Sequence, residues 1–450
     1  MTAAAGLACH EPLARGETMN VESRPVVSRG AREVVYTCLL AGFVVCLIWP
    51  ASVPDPFRVG PDRSWSLLCL LTAAPILGMA LLQQQPFRTC FDVFIGLYVV
   101  AILATWPTAF SHSRTLVALF ALTANVAVFY AFVVGVRRSA TSPHLILIIL
   151  VAGIAVLETM AVDFHVEVGA FTRPTVYDRP EGWGGYPELG LLAAIAFAIL
   201  LAASQVAQPW WSKCALLVFL IVTLLQLAFL YSRMAWISVV AVIVAAGIVS
   251  VRTRRFFDIA AAVLVILVLA GVLVATNGTV RRLAGDLVGI ESSVPLPAGV
   301  QIATPSMRIA IWQRTLRMIR DHWVAGVGLG NFQSIYEPYY NPELNPDGRR
   351  GVHAHNLWLH QTAELGVPGG LIYLSFWVAV LIAAWRRSRF SLIDQAFFYI
   401  VVAVAFRSLG DNMFLTTGAA PARLYTLTWL SFGVIAARHG GTDARFNYNR

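Results

Sequence analysis

Hydrophobic positions gather in long runs, at roughly 34–50, 65–82, 89–106, 115–135, 144–162, 189–207, 214–231, 234–251, 257–276, 367–385, 392–410 and 421–437. Each of these twelve runs is near the length of about 20 apolar residues that a bilayer core requires. Backbone N–H and C=O groups in hydrocarbon must be satisfied within their own segment, so the runs predict helices. The run at 89–106 carries an aspartate, Asp92. The pattern predicts an all-α polytopic membrane protein of about 12 transmembrane helices, with a large extracytoplasmic helical loop between helices 9 and 10.

Basic residues orient the runs. With the N-terminus inside, the short cytoplasmic connections hold Arg88, the pair Arg137 and Arg138, Lys213, the cluster Arg252, Arg254 and Arg255, and the cluster Arg386, Arg387 and Arg389. This is the positive-inside pattern, and an even number of spans keeps both termini on that side. The expected division is a disordered cytoplasmic head at 1–33, nine spans within 34–276, a large outer loop at 277–366, three spans within 367–437 and a cytoplasmic tail at 438–450. A second outer loop at 163–188 interrupts the first nine spans. No cleavable signal peptide is read in the head, so the first span is expected to act as an uncleaved anchor.

Loops of the length of 277–366 are functional or disordered, and this one is rich in Trp, Tyr, Gly, Pro, Arg and His, which favours function. Within it, Thr304-Pro305 reads as a helix start, with proline at the first helical position. Ile309, Trp312, Leu316, Ile319 and Trp323 follow at helical spacing, predicting an amphipathic helix of about 18 residues that can lie on a membrane surface. At about 100° per residue Arg308 lies roughly 60° from the centre of that stripe, while Arg314 points away from it to solvent. The following run Gly326-Val327-Gly328-Leu329-Gly330-Asn331-Phe332 has a phosphate-loop look. No strand is read before it and no helix opening on it, so tight turns with close backbone packing are the better reading.

Composition agrees with the run pattern: 58% of residues are hydrophobic, 13% are charged and the mean hydropathy is +0.69. Soluble globular chains are about 45–50% apolar and about 25% charged, so a water-soluble enzyme, a disordered protein and a disulfide scaffold are poor fits. The net charge is +9, and Lys213 is the single lysine. Arginine at any one site is therefore weak evidence for an anion contact. In a membrane protein the positive excess indicates orientation and membrane lipid rather than a nucleic-acid partner. Six cysteines (Cys9, Cys38, Cys46, Cys69, Cys90 and Cys214) form no readable disulfide framework or metal site.

The segment richest in chemistry is His353-Ala354-His355-Asn356-Leu357-Trp358-Leu359-His360, followed by Glu364-Leu365-Gly366-Val367-Pro368-Gly369-Gly370. His353 and His355 at i, i+2 face apart on a helix, unlike the i, i+4 pair of zinc helices, which argues against a metal. A histidine general base fits the residue type, because imidazole titrates near operating pH. A histidine that only hydrogen-bonds the re-entrant backbone fits the bare motif as well.

Three features together resemble the bacterial O-antigen ligase and O-antigen polymerase family, membrane glycosyltransferases of the GT-C type. His355-Asn356, nine residues, then Gly366-Val367-Pro368-Gly369 is similar to the family's H-N-x9-G-x-x-G signature. Tyr231-Ser232-Arg233-Met234-Ala235-Trp236 is similar to its Ser-Arg motif at the outer end of a span. The run from Arg308 and Trp312 through Asp321-His322 to Phe332 supplies the third. The likeness is dense over about 230–375 and topological elsewhere. In the earlier outer loop the chain has Arg173, Arg179 and Gly185-Tyr186-Pro187-Glu188, with Glu where the family usually has Asn, so the carry-over is weaker there and Arg173 and Arg179 stand only as donor-contact candidates.

The resemblance implies a multi-pass protein of the bacterial inner membrane, with its active site on the periplasmic side in loop 277–366. The donor would be an undecaprenyl-diphosphate-linked glycan, and the acceptor a sugar hydroxyl of lipid A-core or of a second lipid-linked glycan. His355 would take the hydroxyl proton in an inverting attack. Arg233 and Arg308 would bind the diphosphate, with His353, Asn356 and Arg349 as further substrate contacts. No metal or cofactor is implied. The ligase is the first reading and a repeat-unit polymerase of the same family the alternative.

Two readings from other classes compete. A secondary transporter would place charged and helix-breaking residues at the midplane of two repeated halves; here the polar chemistry gathers on an outer loop. A non-catalytic assembly protein would tolerate loss of His355, Arg233 and Arg308. Arg407 and Asp411 form a default i, i+4 pair, Asp92, Glu158 and Asp163 near span ends are expected to be solvated or paired, and Tyr336, Tyr339, Tyr340, Arg349 and Arg350 are general candidates for sugar or phosphate contacts.

Overall fold

A computed structural model describes residues 29–48, 61–139, 142–167, 186–205, 209–229, 233–253, 271, 305–340, 353–410 and 419–439. Among them the regular structure is entirely helical. The helices are α1 (Arg29–Ile48), α2 (Pro61–Leu82), α3 (Asp92–Ala104), α4 (His112–Arg138), α5 (Ser142–Glu167), α6 (Tyr186–Ser204), α7 (Trp210–Phe229) and α8 (Arg233–Thr253). After them come α9 (Pro305–Asp321), the short α10 (Phe332–Ile335), α11 (Leu357–Arg387), α12 (Leu392–Arg407) and α13 (Ala419–His439).

Eleven of the twelve apolar runs coincide with one of these helices; the run at 257–276 lies outside the described residues but for Gly271. Among the described residues, three stretches, Arg63–Leu82, His112–Arg138 and Leu357–Arg387, are long and apolar enough to cross a membrane, and six shorter apolar helices accompany them. Large apolar side chains such as Leu71, Val100, Ile148, Val240 and Leu371 stand exposed along the helices. Faces of that kind suit acyl chains better than water.

α6 and α12 occupy the interior. Every residue from Leu189 to Ala202 is buried, and so is every residue from Ile393 to Ala405. A helix apolar all round needs neighbours on every side. α12 packs against both α6 and α8, α4 lies against α2 and α13, and α11 packs on α3. Gly433 of α13 sits on the Phe129 carbonyl of α4, where a Cβ would approach to 2.6 Å.

The basic ends are tied down by backbone and carboxylate oxygens. Arg137 donates to the carbonyls of Pro86 and Arg88 at 3.1 and 3.0 Å. Arg438 pairs with Asp394, whose carboxylate also accepts from the hydroxyl of Ser391, the N-cap of α12, which in turn accepts from Asp394 N. Asp92, the charge inside an apolar run, accepts from Thr89 N and Oγ1 and from the Tyr130 hydroxyl at the start of α3. The side chains of Glu158 and Asp163, and all of Asp411, lie outside the described residues.

α11 crosses the position at which the sequence separates the outer loop from the tenth span. It starts at Leu357 and bends at Gly366, whose φ is +71°. The bend frees carbonyls that a helix would otherwise use, and a second chain segment takes them. Val327 N donates to Ala363 O at 3.1 Å, Gly328 N to Glu364 O at 2.9 Å, and Val367 N to Trp323 O at 2.7 Å. The two strings touch so closely that a Cβ on Gly366 would lie 2.4 Å from Val324 O, and one on Gly326 2.3 Å from Glu364 O.

Gly366→Ala is therefore expected to cost at least the ~1–3 kcal/mol of a left-handed non-glycine residue, and to add a backbone collision. Gly96→Ala, in α3 with open space around it, is expected to be neutral or stabilising by about 0.5–1 kcal/mol. Thermal unfolding of the detergent-solubilised protein checks both, and equal melting temperatures for the two variants would contradict the packing described.

Candidate active site

α9 forms as the sequence predicts, over Pro305–Asp321. Its apolar arc is wider than the stripe read from spacing. Ile311, Thr315, Met318 and Ile319 are buried against the protein, while Ile309, Leu316 and, past the helix end, Trp323 remain more than half exposed. One flank of the arc docks the helix and the other stays available to an apolar surface. Arg308 lies within the docked flank and turns inward. Its Nη1 donates to Gly410 O at 2.8 Å, and its Nε is buried with no hydrogen-bond partner among the described residues. Arg314, expected in solvent, is half-buried.

The turn that receives Arg308 receives the other motifs too. Leu357 N donates to Ser408 O and Asn356 Nδ2 to Leu409 O, both at 2.9 Å. Gly410 lies on Met234, where a Cβ would come within 2.2 Å of the sulfur. Met234 follows Arg233, the first residue of α8. The Arg233 side chain and the whole of Arg349, Arg350, Arg173 and Arg179 lie outside what is described. Residues 408–410 thus gather the start of α8, the start of α9 and the start of α11. Sequence spacing offers no sign of this turn beyond its place after the span-ending Arg407, which is itself buried.

His355 and His353 stand at that junction, both half-buried, with ring centroids 4.9 Å apart. His355 has φ +45°, one of two non-glycine residues with positive φ among those described. Such backbone is sparsely populated for side-chain-bearing residues and recurs at functional sites. Asn356 follows as the N-cap of α11, its Oδ1 accepting from Leu359 N at 3.0 Å. Both ends of its carboxamide are engaged with the protein, so its geometry is that of a structural cap that orients His355. Trp312 Nε1 donates to Ala354 O at 2.8 Å, fastening α9 to the histidine turn from the other side.

The glycine run is a structural loop. Asn331 is fully buried, accepts from Ser111 N and donates to Thr115 Oγ1, each at 2.9 Å, anchoring the loop to the start of α4. A helix does open on it, contrary to the sequence reading: α10 begins at Phe332. Its first N–H donates to Glu364 Oε1 at 3.2 Å. The anion at this helix start is the protein's own carboxylate, which leaves no call for a phosphate there.

Two residues that sequence reasoning passed over sit beside it. His360 and Glu364 are both at least nine-tenths buried, with His360 Nε2 3.4 Å from Glu364 Oε1. The His360 ring packs on Phe332 at 4.4 Å, and its Nδ1 is buried without a partner among the described residues. Their i, i+4 spacing was visible, but not the cavity they face. Tyr340 donates its hydroxyl to Asp321 Oδ2 at 2.8 Å. That bond, aided by Arg320, holds the Asp321 carboxyl below its usual range, while burial and Asp321 push the Tyr340 phenol up to about 12. The tie is present at neutral pH and is lost as pH falls through the lowered carboxylate value or rises through the phenol's, at about 12. Tyr336 is buried and stacked on Phe332, and Tyr339 is exposed.

Residues 218–374 match the family model described as O-Antigen ligase. This segment contains Arg233, Arg308, His355 and the Gly366 bend, so the resemblance is borne out over the part of the chain where it is dense. The match supports an O-antigen ligase or polymerase type of function in general. No curated protein matches the chain.

If Asn356 acts as the cap, Asn356→Ala lowers stability by about 1–2 kcal/mol. Asn356→Asp, which keeps the acceptor for Leu359 N but loses the donor to Leu409 O, lowers it by less. Chemical or thermal unfolding of both variants checks the order; equal stability of all three proteins would remove the capping role.

Proposed function

We propose that this chain transfers a glycan from undecaprenyl diphosphate onto a sugar hydroxyl of lipid A-core, as an O-antigen ligase-like glycosyltransferase. It does so as a protein of twelve spans in the bacterial inner membrane, with both termini cytoplasmic and the site on the periplasmic face. The observation that carries the reading is the convergence of three motif segments, those of Arg233, Arg308 and His355, on the turn 408–410. The family match over 218–374 supports it.

In this reading the acceptor O–H approaches the anomeric carbon from the face opposite the diphosphate. The oxygen forms the new glycosidic bond as the bond to the diphosphate oxygen breaks, which inverts the anomeric centre. His355 accepts the hydroxyl proton, since neutral imidazole is a base near operating pH. Its left-handed backbone, locked between the Asn356 cap and the Trp312–Ala354 bond, supports a preset orientation. Undecaprenyl diphosphate departs with an added negative charge, which Arg233 and Arg308 stabilise. The unpartnered buried Nε of Arg308 leaves a donor for that charge, and charge-assisted guanidinium bonds need no divalent ion to assist them. The donor's own phosphoester linkage supplies the driving force.

Purified protein incubated in EDTA with an undecaprenyl-diphosphate-linked repeat unit and a lipid A-core acceptor is expected to yield glycan on the core. His355→Ala is expected to abolish the product, and Arg233→Ala and Arg308→Ala to lower the rate by about 10²–10³ each, as loss of a donor to developing charge does elsewhere. Longer chains on the undecaprenyl lipid would identify a polymerase instead. Undiminished product from His355→Ala would remove the assigned base.

A further inference from the structure

A cavity of about 550 Å³ opens beside the histidine turn, between the first residues of α2 and α4, the loop leading into α10, and α11. Its volume lies within the ~300–1,000 Å³ of small-molecule sites. Arg308 and His355 are not among its described lining residues. It is nevertheless adjacent to the histidine turn: Gln333 lines the cavity, and its Nε2 is 3.5 Å from His353 Nδ1, whose ring neighbours that of His355.

The lining has two chemical zones. Arg63 and Arg114 are exposed, and neither makes a hydrogen bond or ion pair among the described residues. Two guanidiniums that pair with no carboxylate among the described residues suit an anion. Deeper in, the polar groups are few and directed. His360 Nδ1 is buried and unpartnered while its other nitrogen faces Glu364. Gln361 accepts the Tyr98 hydroxyl at 2.8 Å, and its N–H groups have no protein acceptor among the described residues. Tyr373 and Tyr425 add aromatic wall. Aromatic faces with a few fixed donors and acceptors suit a sugar ring, which has apolar C–H faces and a polar rim.

We propose that this cavity binds an anionic sugar, with the ring against the tyrosines and His360 and a phosphate or carboxylate substituent held by Arg63 and Arg114. On the functional reading above, on which this assignment of role rests, the occupant is the acceptor glycan. Donor diphosphate at Arg233 and Arg308 and acceptor sugar in the cavity then approach His355 from two sides. A buried histidine with one nitrogen on a carboxylate and the other unsatisfied is costly to keep without a ligand group to bond. That cost is the argument for a hydrogen-bonding ligand rather than a bare apolar one.

The test is binding, read without turnover, on the full chain in phosphatidylcholine nanodiscs. Saturation-transfer NMR would follow glucose 1-phosphate, with glucose as a separate arm and inorganic phosphate as an arm read by its competition with the glucose 1-phosphate signal. Glucose 1-phosphate is expected to bind at least tenfold more tightly than either arm. Arg63→Ala and Arg114→Ala are each expected to weaken it about fivefold or more, Arg63→Lys and Arg114→Lys to restore part of the loss, and His360→Ala to weaken it with the phosphate arm unchanged. Both arginines are exposed, so size-exclusion profiles of their variants should match the parent.

Equal binding of phosphate alone would reduce the site to an anion site and overturn the sugar. Displacement of the probe by phosphatidylglycerol discs would assign the arginines to a lipid headgroup and overturn it as well. Absence of binding, or binding indifferent to all three residues, would also overturn it. His355→Ala separates the two readings: it is expected to retain glucose 1-phosphate binding while losing glycan transfer. Binding without transfer in the parent protein would sink the transferase and leave the cavity, and transfer without binding would do the reverse.

Discussion

A bent helix has to find partners for the backbone groups its bend releases, and that requirement organises the outer part of this protein. At Gly366 the chain of α11 enters left-handed backbone, which leaves the carbonyls of Ala363 and Glu364 and the N–H of Val367 outside helical bonding. In a low-dielectric setting each unsatisfied group costs several kcal/mol by order of magnitude. Residues 323–328 satisfy all three through their own backbone, in register with the bend. Only glycine permits the contact, because both strings run within van der Waals distance of each other's peptide planes at Gly326 and Gly366.

The rest of the site is suspended from that junction. Fixing 326–330 fixes Asn331, which ties the loop to the start of α4, and Phe332, whose N–H holds the Glu364 carboxylate. Glu364 in turn orients His360. On the other flank, α9 leads into the same junction and carries Arg308 to the turn after α12, while Asn356 fastens the first residues of α11 to that turn. His355 is therefore held between two anchored segments. A strained, doubly anchored histidine and an inward-turned arginine thus belong to segments fastened to the same turn.

Charge is distributed in keeping with this. At one end of the bundle arginines bond to carbonyls or to Asp394 and have a structural account. Near the histidine turn, Arg308 keeps an unused donor, and Arg63 and Arg114 face open volume. In a chain whose cations are nearly all arginine, residue type alone separates none of these roles; the partners do.

The sequence by itself determined where the helices form, because runs of about 20 apolar residues have no other way to satisfy their backbone in lipid. It also located α9, whose proline start and 3.6-residue period are local signals, and it singled out His355, Arg308 and the glycine bend through motifs spanning a few residues each. It misjudged what long-range packing decides. Arg314 is drawn in, a helix opens on the glycine run, and the exposed stripe of α9 is only half of its apolar arc. Asn356 binds Leu409 and Arg308 binds Gly410 across 53 and 102 residues. No periodicity records such a bond, since it depends on how α8, α9, α11 and α12 pack together. The cavity between Arg63, Arg114 and His360 is of the same kind. Its walls come from segments hundreds of residues apart, so only the tertiary structure could assemble it.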